Sequence, residues 1–364
     1  MAELYVRDGT YFSNKAIDSY NKAIRMAISA REPGKSTAAC MEKYFPAWKR
    51  GHTYVIIRRR TVAITDEYIQ SLARTIRIFN DGEWSLKYER GSRKDGVVSV
   101  KLNDQDFVLI VSLSISIDRI KSLVYHDIEG FLFDEFICNP AWGEKYLPHE
   151  VEKLFEVYNT LRRFYIHKND PTKPQCPIYF YGNPYSLYNP YFLYFGVKVN
   201  DLKPGMIQSG PNWVVQYYKI SDKLRALLLA TNPLYQFEDD KYARYALEGI
   251  AINDEKYKID PKMPQNYPLS FVVRIENQYI GIYMANDQTS LRNGSTHYCR
   301  IINKDSIRRE VMCFDFDQLV DGTVMKNRGD EWRFVAFRLA MQKRKVEFDN
   351  VMTANLCEEI YYNL

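Results

Sequence analysis

"AIRMAISAREPGKSTAACMEKYFPAW", residues 23–48, decides the fold. Its first part, "AIRMAIS" (23–29), is an apolar run of strand type, and "STAACMEKYFPAW" (36–48) has the character of the helix that follows a loop. The loop between them, Ala30, Arg31, Glu32, Pro33, Gly34, Lys35, Ser36 and Thr37, approaches the phosphate-binding pattern G-x-x-x-x-G-K-[ST]. It departs from the pattern in two places. Ser29 stands where the first glycine belongs, and Pro33 removes a backbone donor just before Gly34. A serine is tolerable there if it keeps a negative φ. Pro33 pushes Glu32 toward an extended shape, and Arg31 is placed to supply charge where an amide is lost. Gly34, Lys35 and Ser36 are intact. At a helix N-terminus the exposed amides attract phosphate, Lys35 places an ammonium on the β/γ-phosphates, and the Ser36 hydroxyl ligates Mg²⁺. The expectation is a working but altered nucleotide cradle.

Two further signals follow in chain order. "FLFDEF" (131–136) is a buried apolar strand that ends in adjacent carboxylates. Phosphoanhydride hydrolysis needs such a pair: Asp134 to hold Mg²⁺ and Glu135 to orient and deprotonate the attacking water. A solvated strand end is the alternative for this motif alone. In "YFYGNPYSLYNPYF" (179–192), Asn183 leaves another buried strand and is a candidate sensor for the γ-phosphate or the water, although Asn-Pro is also an ordinary turn signal. Together the three motifs predict an ATP-hydrolysing P-loop domain with an additional catalytic Glu.

The rest of the chain sets the frame. Its 364 residues, 46% hydrophobic and 15% aromatic, favour two folded domains and a connector. The net charge of +5 discriminates little. Six scattered cysteines and five isolated histidines carry no zinc spacing and read as packed free thiols. The start "MAELYVRDGT" is unlike a signal peptide, and the longest apolar run, Phe107 to Ile117, is too short to span a membrane. Further strands are expected in "HTYVIIRRR" (52–60), "DFVLIVSLSI" and "CPIYFYGNP", a hairpin in "EWSLKYER…VVSVKLND", and helices in "TDEYIQSLARTIRIFN" and "PHEVEKLFEVYNTLRRFYI". This βα alternation predicts an α/β domain with a mostly parallel sheet over 1–203. A helical linker is expected over 204–257. A small α+β domain, with strands "PLSFVVRIENQYIGIYMA" and "HYCRIINKD" and a helix "DEWRFVAFRLAMQKRKVEF", is expected over 258–364.

With "AREPGKS", "FDEF" and "NPYFLYF" in this order, the sequence resembles the DNA-packaging (encapsidation) ATPases of φ29-like phages, small relatives of the large terminases. The resemblance is specific over most of residues 10–200 and fainter beyond. It implies a homopentameric ring on the portal of an empty procapsid that drives double-stranded DNA inward at the expense of ATP. A prohead RNA is a further implied partner, the host cytoplasm the implied location, and no membrane is involved. Lys35, Ser36, Asp134 and Glu135 keep their roles. Arg163 in "NTLRRF" is implied as a finger acting on a neighbouring subunit's γ-phosphate, with Arg162 adjacent, and Lys121 in "RIKSL" as a second trans-acting cation. Arg58 and Arg59 end the second strand as in relatives, although a charged strand end needs no function. The loop "HKNDPTKPQCP" is longer than the resemblance leads one to expect.

The same resemblance implies an RNase-H-like C-terminal domain that has lost its nuclease centre. The residues agree: the first hairpin has only Glu276, at its turn, and nothing aligns Asp287, Asp315 and Asp317 into a two-metal set. The basic groups Lys326/Arg328/Arg333 and Lys343/Arg344/Lys345 are candidates for nucleic-acid contact or an ordinary solvated face. Two alternatives to a packaging motor stay open: another P-loop translocase or helicase, and a nucleotide-binding capsid scaffold without turnover.

Overall fold

Ile24–Ser29 is buried almost throughout, so it needs neighbours on both edges and cover on both faces. It forms β1. The same holds for β2 (Thr53–Arg58), β6 (Ile128–Asp134) and β7 (Ile178–Gly182). Adding β3 (Leu86–Arg90), β4 (Val97–Leu102), β5 (Gln105–Ser112), β8 (Ile207–Ser209) and β9 (Trp213–Tyr218) gives a nine-stranded sheet ordered β3-β4-β5-β2-β6-β7-β1-β9-β8. The six strands from β5 to β9 run parallel, with the antiparallel hairpin of β3 and β4 added at one edge and the antiparallel β8 at the other. These are features of a computed structural model. It describes residues 10–80, 82–90, 96–116, 118, 120, 127–139, 144–162, 176–187, 189–233, 247, 249, 258–275, 278–285, 296–313, 320–327, 331–342, 345–350, 353, 354, 356 and 357.

Strand alternation sorts the core into two layers. One face carries Met26, Ile28, Val55, Ile57, Phe131, Phe133 and Phe180, packed against α4 (Glu150–Arg162), α5 (Pro190–Phe195) and α6 (Asp222–Thr231). The other carries Ala27, Tyr54, Ile56, Leu132, Tyr179 and Tyr181, against the helix after the loop and α3 (Asp66–Phe79). The Thr65 hydroxyl caps α3 by accepting from the Tyr68 amide at 3.1 Å. The helix after the loop is α1 (Lys35–Ala39), which runs through a π-helical turn (Cys40–Tyr44) into α2 (Phe45–Lys49). Pro46 sits just past the widened turn, where the hydrogen-bond ladder has no need of its missing N–H. All six cysteines are buried and free.

The chain divides into two compact units, Met1–Asn253 and Asp254–Leu364. This corrects the linker expected from residue 204. Residues 207–218 belong to the first sheet, with β9 in register against β1 from Ile24↔Trp213 to Ser29↔Tyr218. The turn-rich "DLKPGMIQSGP" is an edge hairpin rather than the end of a domain. Helix α6 does follow, and its Leu224 and Leu228 pack into the first unit's core.

In the second unit β11 (Leu269–Ile275), β12 (Gln278–Met284) and β13 (His297–Ile301) form an antiparallel meander, while β14 (Val311–Cys313) and β15 (Thr323–Met325) add in parallel beside β11. Counted from β11, the order is 3-2-1-4-5, that of an RNase-H-like sheet. The edge beyond β13 is extended by β16 (Val346–Phe348) and β10 (Lys258–Ile259). Helix α7 (Trp332–Gln342) covers the core with Phe334, Phe337 and Ala340. "KVEF", expected to end that helix, is instead strand β16. Val346 and Phe348 point inward and Glu347 is less buried, a period of two that suits a strand and not a helix.

Gly182, the last residue of β7, allows the turn after β6 to approach. A Cβ there would stand 2.8 Å from the Phe136 ring and 3.0 Å from Ile137. Gly182→Ala should therefore lower unfolding stability by about 1–3 kcal/mol through overpacking. Urea unfolding that shows no loss would contradict this.

Candidate nucleotide site

The carboxyl ends of β1, β2, β6 and β7 lie along one edge of the sheet, where open α/β sheets place their ligands. At the end of β1, Ser29 is fully buried and keeps a negative φ. Its hydroxyl accepts a hydrogen bond from Lys35 Nζ at 2.6 Å and donates to the Ala30 carbonyl at 2.9 Å. The residue that replaces the first glycine thus becomes a seat for the lysine. Glu32 is not extended as expected but left-handed, at φ 65°, followed by Gly34 at φ 89°. The loop has to reverse within these residues, and the fold holds both left-handed. Pro33 is buried, and its carbonyl accepts from the Phe12 amide at 2.9 Å. Arg31 Nη2 donates to the Tyr185 hydroxyl at 2.7 Å. Ser36 is exposed and Thr37 half-buried on the first turn of α1.

Lys35 also donates to Asn183 Oδ1 at 3.0 Å, and to the Ser29 and Ala30 carbonyls at 3.4 and 3.3 Å. Asn183 therefore does more than turn the chain, although its carbonyl does accept from the Tyr185 amide. Burial pushes the Lys35 ammonium down to about 7, against the upward pull of Asp134 and Glu135 and with Arg31 lowering it further.

Across the site Arg58 holds both carboxylates. Its Nη1 donates to Asp134 Oδ2 and its Nη2 to Glu135 Oε2, each at 2.8 Å, and its guanidinium lies 4.7 Å from the Tyr68 ring centroid. Burial raises the Asp134 carboxyl, with Arg58 opposing. Glu135 is left-handed at φ 59°, a conformation that costs a non-glycine residue about 1–3 kcal/mol and is typical of functional turns. Its carbonyl accepts from Arg59 Nη1 at 3.0 Å. The carboxylate itself is open to solvent: the Glu135 side chain is 63% exposed, against 14% for Asp134.

The structure thus brings together Lys35, Asn183, Asp134 and Glu135 from three separate segments. Lys121 and Arg163 lie outside the described residues, as do Glu276, Asp287, Asp315, Asp317, Arg328, Lys343 and Arg344. Arg162 is exposed on the last turn of α4, with its guanidinium 5.7 Å from the Tyr158 ring centroid. Lys326 pairs with Glu310 at 3.2 Å and Arg333 with Glu331 at 2.7 Å. Sequence reasoning gave no function to Arg58, although two arginines at the exit of a fully buried strand were its signal. It also passed over Tyr185, and Gly249, whose carbonyl accepts from the Tyr217 hydroxyl. A Cβ on Gly249 would stand 3.2 Å from the Ala30 amide nitrogen. Nothing in one sequence marks that approach.

A protein-family model described as "Podovirus DNA encapsidation protein (Gp16)" matches residues 7–364. The DNA packaging protein of Bacillus phage B103 is 22% identical over 352 residues, covering 94% of this chain and 98% of that protein. Among solved structures the chain is similar to the Phi-28 gp11 DNA packaging motor, with TM-score 0.66 and 17% identity over 98% of this chain and 99% of that one. It is similar also to a chain of the bacteriophage Phi-29 viral genome packaging motor assembly, with TM-score 0.63 and 18% identity over 97% and 98%. At these identities the structures show a shared fold.

The burial of Lys35 has a proton-linked consequence. With its pKa at about 7, the amine is largely neutral at about pH 8 and becomes an ammonium against phosphate anions. A nucleotide bound against Lys35 would then take up a proton, and its affinity would fall as pH rises above about 7. Calorimetry of ADP binding without magnesium at about pH 8, in two buffers of different ionisation enthalpy, should register uptake approaching one proton per nucleotide. Lys35→Arg, always charged, should register none. Equal uptake in both proteins would exclude Lys35 as the group.

Proposed function

The chain belongs to the podovirus DNA encapsidation protein family, and on that premise we propose that it is the ATP-hydrolysing subunit of a ring that drives double-stranded DNA into an empty procapsid. The observation that carries the proposal is the convergence of Lys35, Asn183, Asp134 and Glu135 at one sheet edge, with strand β7 between the strands of cradle and carboxylates. In this reading the amides of residues 30–37 and the Lys35 ammonium receive the ATP phosphates. A phosphate oxygen competes with Asn183 Oδ1 for the lysine, so the arrival of the γ-phosphate is felt at the exit of β7. The Ser36 hydroxyl and the Asp134 carboxylate are oxygen donors of the kind a hard cation takes, and would hold Mg²⁺. The ion, when bound, neutralises charge on the phosphate oxygens. Asp134 serves that purpose once Arg58 lets it go. Release by the same guanidinium frees Glu135, whose exposed carboxylate then orients and deprotonates water.

Arg163 follows the last residue of α4, and we assign it the role of a finger reaching the neighbouring subunit's γ-phosphate, with Lys121 as a second trans-acting cation. The pentameric ring, its seat on the portal of the procapsid, a prohead RNA contact and action in the host cytoplasm belong to the same proposal. So does the division of labour: an ATPase unit, a helical segment from α6 onward, and a nuclease-dead C-terminal unit for binding. The ion pairs of Lys326 and Arg333 are partly exposed and weak enough for a phosphate backbone to displace. Binding of this kind is steeply salt-dependent. Among the described residues no helix is long and apolar enough to cross a membrane.

Glu135→Gln should lower ATP turnover, measured with DNA and procapsids present, by on the order of 10²-fold or more while ADP still binds. Turnover absent from the wild type, or unchanged in the variant, would end the motor reading. Doping Arg163→Ala into wild-type rings should suppress activity beyond the mutant fraction, because each finger completes a neighbour's site. Activity strictly proportional to the wild-type fraction would show that it does not act between subunits.

A further inference from the structure

Beside the clamp on the carboxylates lies a second arginine, half-buried, that touches neither. Arg59 donates from Nε to both oxygens of Glu150 at 3.1 and 2.9 Å, from Nη1 to the Glu135 carbonyl at 3.0 Å and from Nη2 to the Phe136 carbonyl at 2.6 Å. The rings of Phe133 and Tyr146 flank its guanidinium, with centroids 5.5 and 5.1 Å away. The Arg59 side chain is 10% exposed and that of Glu150 1%. Glu150 is saturated: Oε1 also accepts from the Tyr191 hydroxyl and Oε2 from the Leu147 amide, both at 2.7 Å.

From this geometry we propose that Arg59 is a positioning residue for hydrolysis. It fixes the peptide of Glu135, and so the direction of that carboxylate, and joins the turn to the first residue of helix α4. The inference rests on the ATPase reading of the site. A purely structural role explains the contacts less well. A buried ion pair is weak evidence for stability, since apolar residues of similar volume commonly serve as well. Here two donors of the fork go to consecutive carbonyls of a left-handed turn, one of them that of the residue assigned to activate water. A lysine would keep the charge and the pairing with Glu150, but it lacks the planar fork that reaches both carbonyls as well. Adjacent arginines thus divide the work: Arg58 holds the Glu135 side chain and Arg59 its backbone.

The strut also has a direction. Glu150 opens α4 and Arg162 ends it, twelve residues later and roughly 18 Å away, next in sequence to Arg163. Tyr191, which steadies Glu150, lies on α5, the helix after the Asn183 turn. One buried pair therefore touches the acid turn, the sensor-side helix and the helix that leads to the proposed finger.

The test uses the full chain with DNA and procapsids, following steady-state ATP hydrolysis, ADP affinity and thermal unfolding. Arg59→Lys and Tyr191→Phe are each made in the wild type and in Glu135→Gln. Arg59→Lys should lower kcat about tenfold to a hundredfold with KM within about twofold, as misplacement of a catalytic group does. The loss should vanish in the Glu135→Gln background, where there is no base left to aim. Tyr191→Phe, which deletes a single hydroxyl, should show the same pattern on a smaller scale and keeps the test decisive if Arg59→Lys does not fold. A loss by the same factor in both backgrounds, or a raised KM with kcat intact, would overturn the proposal while leaving the ATPase reading in place. A wild type that never turns over would remove both.

Discussion

Strand β7 separates β1, which leads into the loop of Lys35, from the carboxylate-bearing β6, and the site depends on that spacing. Neighbouring strands lie about 4.8 Å apart, so β1 and β6, two strands removed, leave a gap of about 10 Å at their carboxyl ends. In the proposed ATPase that is room for a phosphate and a metal ion between Lys35 and Asp134. It also leaves the exit of β7 in the middle of the gap, so Asn183 meets the lysine from the side. The spacing in turn relies on residues far from the chemistry. Gly182 lets β7 end against Phe136, and the fully buried β2 delivers Arg58 level with Asp134.

The charges of the site satisfy one another. Lys35 leans on Ser29 and Asn183, Arg31 on Tyr185, and Asp134 and Glu135 share Arg58. A buried charge without partners is costly, so these contacts hold each group until something better arrives. The nucleotide of the proposed ATPase would have to exchange every one of them, so that binding would rearrange the whole constellation. The left-handed Glu135 and Glu32 fit this view, because such backbone persists only where several contacts enforce it.

The second unit is built on another plan. Its meander and two added parallel strands make an RNase-H-like sheet, widened by β16 and β10. The strand interiors of β11 and β12 are apolar or neutral apart from Arg274. What the sheet offers is a frame, with α7 packed on it through Phe334 and Phe337. Of its basic residues, Lys258, Lys326 and Arg333 are ion-paired within the unit.

Much of this was legible in the chain. Continuous apolar runs marked β2, β5, β6 and β7 because a strand buried on both faces carries that pattern, and the chemistry-bearing residues sat where those runs stopped. Several strands escaped, β9 and β16 among them. β9 followed a turn-rich stretch that looked like a boundary, and β16 was read as the tail of a helix whose first turns were correctly seen. Sequence by itself singled out the candidate residues, since Lys35, Ser36, Asp134, Glu135 and Asn183 belong to motifs with local spacing. Only the tertiary structure decided what holds them. Arg58 reaches across 76 residues to Asp134, Arg59 across 91 to Glu150, and Lys35 across 148 to Asn183. Such partners are chosen by strand order and register, and no local pattern encodes a contact that closes only when the sheet does.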